Sequence, residues 1–226
     1  MRRSWAEGGG AGHGTGRAAP GLKSRLGAAP AAAGSQPQSR PPPTGFALMG
    51  VGGGVVPHPM VLQLRFTRGE FARAWKGIAE EEAQRHFPPM NCISWLIGHL
   101  AWQEQSYFLQ YGQGRLLLPE IERRFAYGAP MSTPTLAEMR RDSQTITEAA
   151  DPWLDTLTTT TLQEQVVSKG KPIAYLHGNL LQRVIYHYWY HTGEIMAIRQ
   201  LLGQGRLPQF VGALDRKAPY RPEELG

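Results

Sequence analysis

Four stretches of this chain repeat apolar residues at helical spacing, and no run alternates apolar and polar residues as a half-buried strand requires. A chain so patterned must bury helix faces against other helices. The first stretch, "FTRGEFARAWKGIAEEEAQRHF", sets Thr67 and Glu70 at capping-box spacing and puts Phe71, Trp75 and Ile78 on one face. Pro88 and Pro89 punctuate it. A second helix is predicted from Met90 or Asn91 to about Tyr111, stopped by Gly112 and Gly114. Residues 112–133, with Pro119, Gly128 and Pro130, read as a long loop. The third helix covers "STPTLAEMRRDSQTITEAADPWLDTL", with Thr133 as cap, Pro134 at its first position and a kink or break at Asp151-Pro152. "TTTTLQEQVVSKGKPIAY" reads as a connection punctuated by Gly170 and Pro172. The fourth helix is predicted from about Tyr175 to Leu202, closed by Gly203, and a Pro-spaced tail follows. The expected fold is all-α: an antiparallel four-helix bundle with long connections and an irregular tail.

The texture upstream is different. Residues 1–59 hold 14 of the 27 glycines and 8 of the 18 prolines, without helical or strand period. Such a segment buries too little apolar surface to offset its chain entropy, so a disordered extension over 1–59 and a folded domain over 60–226 are expected. Met49, within it, and Met60, just after it, are candidate starts. The same segment carries +5 of the formal net charge of +6, from six Lys or Arg against Glu7. The remainder is close to neutral and lacks the one-sided basic surface of a dedicated nucleic-acid binder. Cys92 is the only cysteine, so no intrachain disulfide forms. No apolar run nears the roughly 18–20 residues of a membrane span. Paired arginines at the start have no apolar stretch behind them, as an export signal would. A cytoplasmic protein without specific nucleic-acid or membrane partners is expected.

Within the fourth helix, "RVIYHYWYHTGE" places His187 and His191 one turn apart on one face, with Glu194 within about 20° of His187 by helical geometry. Val184, Leu180 and Ile195 extend that face, so it points toward the other helices. An i, i+4 pair of imidazoles can clamp one transition-metal ion; it can equally be a pair of core histidines satisfied by hydrogen bonds. His99, in "SWLIGHLAWQEQ", is the best third candidate, because its helix is apolar nearly all round. That same character leaves the helix in need of a cover, either the C-terminal tail or a second subunit. Trp95, Trp102, Tyr188 and Trp189 are candidate pocket walls. Gln103 and Glu104 lie near on the second helix. Cys92 is read as packing. His177 is about 80° off the stripe by the same geometry, His86 lies at a helix end, and His13 and His58 lie in the extension.

"MNCISWLIGHLAWQEQ" and, after a long gap, "GNLLQRVIYHYWYHTGEIMAIRQLLG" resemble the DinB-like superfamily of bacterial proteins over about residues 62–215. The resemblance implies an antiparallel four-helix bundle, often a homodimer. It implies a divalent metal, zinc or nickel, held by three histidines that fall on His99, His187 and His191. It also implies activities such as metal-dependent thiol transfer or thiol-dependent isomerisation, with a low-molecular-weight thiol as co-substrate and a small molecule as substrate. Glu194 would then be a catalytic proton acceptor, an orienting partner of a ligand histidine, or half of a surface ion pair. The alternative is a non-catalytic, stress-related metal-binding bundle. A DNA-associated role, suggested by the family name alone, is opposed by the near-neutral folded region.

Overall fold

A computed structural model describes residues 56–212 and 214–222. The expected extension over 1–59 therefore lies almost wholly outside the described residues. The chain is mostly helical, with one small two-stranded sheet. The long helices are α1 (Pro59–Trp75), α3 (Ile93–Glu104), α5 (Leu136–Leu154) and α7 (His177–Leu201); short ones are α2 (Glu80–Gln84), α4 (Pro119–Phe125), α6 (Thr159–Gln163) and α8 (Leu214–Lys217). Helix α1 packs along α7, α3 along α5, and α3 also against α7. Apolar side chains from all four meet in one core that includes Leu64, Leu96, Ile146 and Val184. Among the described residues no helix is long and apolar enough to cross a membrane.

Several boundaries depart from the sequence reading. Helix α1 begins at Pro59, capped by His58, whose Nδ1 accepts from the Met60 amide at 3.1 Å. Thr67 is therefore a buried mid-helix residue, and the Thr67/Glu70 spacing marks no cap. His58 belongs to the folded part for the same reason. The first stretch breaks at Gly77, whose φ of +77° is a backbone state that glycine tolerates. Helix α5 is capped two residues later than expected, by Thr135, which accepts from the Glu138 amide. It runs undivided through Pro152, which sits in the last turn.

The predicted loop and connection carry structure of their own. Helix α4 forms within residues 112–133, opened by Pro119 at its first position. The connection before α7 folds into a hairpin, β1 (Gln165–Ser168) with β2 (Lys171–Leu176), which the all-α expectation lacked. Its two-residue turn, Lys169-Gly170, has both φ values positive, the geometry that closes a tight antiparallel hairpin.

Helix α3 is buried on every side by α2, α4, α5 and α7; only Trp102 is partly open. Its all-round apolar character is thus satisfied within one chain. Beyond Glu104 the helix widens into a π-helical turn, Gln105–Tyr111, ending at Gly112. Gly112 is required there, since a Cβ would meet the Trp153 ring at 2.7 Å. The fully buried Gln105 then clamps the next segment: its Oε1 accepts from the Leu118 amide at 2.6 Å and its Nε2 donates to the Leu118 carbonyl at 3.0 Å. That clamp fixes where α4 starts, and so where α4 ends beside α3.

Candidate metal centre

Helix α7 turns Leu180, Val184, Tyr188, His191 and Ile195 into the core. His191 lies on this buried face, and His187, one turn earlier, lies at its edge. Helix α3 brings His99 to the same level. The ring centroids are 5.0 Å apart for His99 and His187, 5.5 Å for His99 and His191, and 4.4 Å for His187 and His191. One ring nitrogen from each lies within 4.8 Å of the others.

Hydrogen bonds fix which nitrogens face the centre. His99 Nδ1 sits 2.7 Å from the Phe125 carbonyl oxygen. A carbonyl only accepts, so Nδ1 carries the proton and Nε2 carries the lone pair. His191 Nδ1 lies 2.7 Å from Glu194 Oε2, and the carboxylate assigns the same tautomer. His191 Nε2 lies 2.8 Å from His187 Nε2. Two lone pairs at that distance repel, so without a cation one of the two nitrogens must be protonated. His187 Nδ1 is buried and finds no partner among the described residues.

The surroundings hold these rings still. Trp95 and Trp102 stack on the two faces of His99 at centroid distances of 4.9 and 5.2 Å. Trp102 is held in turn by its Nε1–H donating to Glu122 on α4 at 3.0 Å. Burial pushes the His99 imidazole below its ordinary pKa, against the pull of the Phe125 carbonyl. Burial, then the nearby His191, His99 and Arg183, push His187 down to about 3. The neutral forms of both rings, which carry the lone pairs a cation needs, are therefore favoured at neutral pH.

A cleft of about 620 Å³ opens beside the cluster, bounded by His99 and His187. Trp102, Gln103 and Tyr107 line it from α3 and its π-helical end; Arg183, Tyr186 and Tyr190 line it from α7. Of the walls expected from sequence, only Trp95 and Trp102 lie at the cluster. Tyr188 is buried in the core, donating to Glu104 at 2.7 Å rather than lining the cleft, and Trp189 packs on Phe66 and Phe210. Glu104 also turns away, bound at both oxygens by Arg68. Cys92 is a buried residue at the start of α3, apart from the cluster, and His177 meets Trp153 edge to face. Arg183, Tyr186 and Tyr190 were not expected at the site. Their signal was present: with His187 they repeat at spacings of three and four along one helix.

A model of the DinB superfamily matches residues 63–195, more than half of the chain. No curated protein matches significantly.

Proposed function

This chain belongs to the DinB superfamily, and on that premise we propose that it is a divalent-metal-dependent enzyme, a thiol-dependent transferase or isomerase whose ligands are His99, His187 and His191. The observation that carries the reading is the convergence of three imidazoles, two of them held with Nε2 lone pairs inward, beside an open cleft. The donor set fits a borderline ion such as zinc or nickel: all nitrogen, neutral, and with room for a further ligand. A bound cation would also remove the repulsion between His187 and His191. Helices α1, α3, α5 and α7 are read as the antiparallel four-helix bundle of the family, and the protein as cytoplasmic; among the described residues no helix is long and apolar enough to cross a membrane. A second copy as homodimer partner belongs to the same reading.

When bound, the ion supplies a Lewis-acidic centre that lowers the pKa of a thiol or a water at its open position. The chain does the rest. The Phe125 carbonyl and the flanking tryptophans fix the His99 ring plane. Glu194 holds the Nδ1 proton of His191 and is a positioning residue here rather than a group that touches substrate. Gln103 and Tyr107 offer polar atoms to a substrate seated in the cleft. Cys92, buried away from the cluster, is no nucleophile, so a thiol has to come from a second molecule.

Elemental analysis of the chain beside its His187→Ala variant tests the ligand set. Stoichiometric metal is expected in the first and a large loss in the second; equal metal in both sinks the assignment. Glu194→Gln should weaken metal affinity about 10–100-fold, the usual effect of losing an orienting partner, and an unchanged affinity removes Glu194 from this role. A panel of low-molecular-weight thiols, followed by metal-dependent thiol consumption, tests the chemistry. Metal without any thiol reaction would favour the non-catalytic alternative.

A further inference from the structure

The cleft beside the histidines carries no carboxylate among its lining residues, yet it carries a fixed cation. Arg183 lies one turn before His187 on α7 and lines the same cleft. Its guanidinium carbon sits 4.9 Å over the Tyr175 ring, and Nη1 donates to the Tyr107 hydroxyl at 3.3 Å. Neither contact neutralises it, and no described acidic group forms an ion pair with it. Arg65, Arg68, Arg73, Arg123, Arg124 and Arg141 each meet a carboxylate. Arg85, Arg140 and Arg183 lie instead over aromatic rings, and of these only Arg183 lines the cleft. A guanidinium held only by tyrosine rings and hydroxyls keeps further N–H groups for a planar, bidentate anion.

A second observation comes from the other wall. Gln103 is 5% exposed, lines the cleft, and its Oε1 is buried without a partner. A buried amide oxygen without a partner is uncommon and costs free energy unless a ligand or water completes it. Around these polar groups stand flat aromatic surfaces: Trp102 and Tyr107 on one side, Tyr186 and Tyr190 on the other, the last two 65% and 70% exposed. The faces of these rings suit a planar ligand.

We propose that this cleft binds a small planar carboxylate, with Arg183 as the anchor of its carboxylate group and Gln103 as a hydrogen-bond partner of its body. The inference deepens the enzymatic reading by naming the substrate class, and rests on that reading only for the place of the reacting atoms. The carboxylate end sits toward Arg183, about one helical turn of α7 from His187, and the planar body lies between the aromatic walls. The reactive end of the molecule then lies over the three imidazoles.

The test uses the full chain with isothermal titration calorimetry, and benzoate and cinnamate against benzamide and cinnamamide. Each acid should bind at least tenfold more tightly than its amide. Arg183→Gln should erase that preference with unchanged metal content and melting temperature, and Arg183→Lys should restore part of it. A preference that survives Arg183→Gln, or its absence in the unmodified chain, overturns the proposal. The same titration in His187→Ala separates the two readings. An Arg183-dependent preference that persists there stands even if the metal assignment falls, whereas one that is lost there yet survives Arg183→Gln shows coordination by the ion and overturns the role of Arg183.

Discussion

At the scale of single residues, His187 and His99 are poised by their surroundings rather than by their identity. An imidazole whose folded pKa lies near 3 against an ordinary 6.5 binds its proton far more readily in the unfolded chain. Between those values the unfolded state therefore holds more protons, and stability falls as pH drops. The contribution is fully present above 6.5 and lost progressively toward 3. Denaturant unfolding of metal-free protein should show a declining free energy from pH 6.5 downward. His187→Gln should flatten part of that slope between about 6.5 and 5, before most carboxylates titrate. An identical slope in the variant would mean that His187 is not held neutral. The residue scale was only partly legible in the sequence. The i, i+4 spacing of His187 and His191 needs nothing beyond helical geometry. The tautomers, by contrast, follow from Phe125 and Glu194, and Phe125 is 26 residues from His99.

At the scale of elements, the close approach of α3 to α4 and α5 decides where His99 sits. Gly98 is the contact point: a Cβ there would meet Met139 Sδ at 2.6 Å and the Phe125 ring at 2.9 Å. Alanine favours helix over glycine by about 1 kcal/mol, but overpacking a tight core costs about 1–3 kcal/mol. Gly98→Ala should therefore come out destabilised in denaturant unfolding. By pushing on Phe125 it should also weaken metal binding through the His99 tether. A variant at least as stable as the parent, with unchanged metal affinity, would show that this contact yields without consequence. The long helices were readable because each repeats apolar residues over three turns or more. Helix α4 and the hairpin were not. Seven residues give too few turns for a period, and the alternation of Gln165–Ser168 spans only four residues. The Lys169-Gly170 turn was visible as a glycine, but its pairing partners were not.

At the scale of the whole molecule, one buried polar knot ties the four long helices. Arg68 on α1 binds both carboxylate oxygens of Glu104 on α3 and reaches Asp151 on α5 at 2.6 Å; Tyr188 on α7 donates to Glu104. Burial holds the Tyr188 phenol protonated, so it serves as a donor. Glu104 is fully buried, and losing one partner of a buried ion pair costs about 3–5 kcal/mol because the other charge is stranded. Arg68→Met should lower stability by about that much, and adding Glu104→Leu should recover part of the loss. If Arg68→Met melts like the parent, the knot is not what holds the helices in register. The sequence left Arg68 unremarked and placed Glu104 near the pocket, since their sequence separation of 36 hides the pairing.

The sequence alone determined the helical character of the chain, the approximate extent of its long helices and the pairing of His187 with His191 on one face. All of these depend on local periodicity, which a linear string records directly. The tertiary structure decided the rest. It set the distance of His99 from that pair and covered α3 within a single chain. It also turned Glu104 away from the cleft and brought Arg183, Tyr107 and Gln103 to its walls. Those facts depend on which helix faces meet, and such contacts join residues too far apart along the chain for spacing to reveal them.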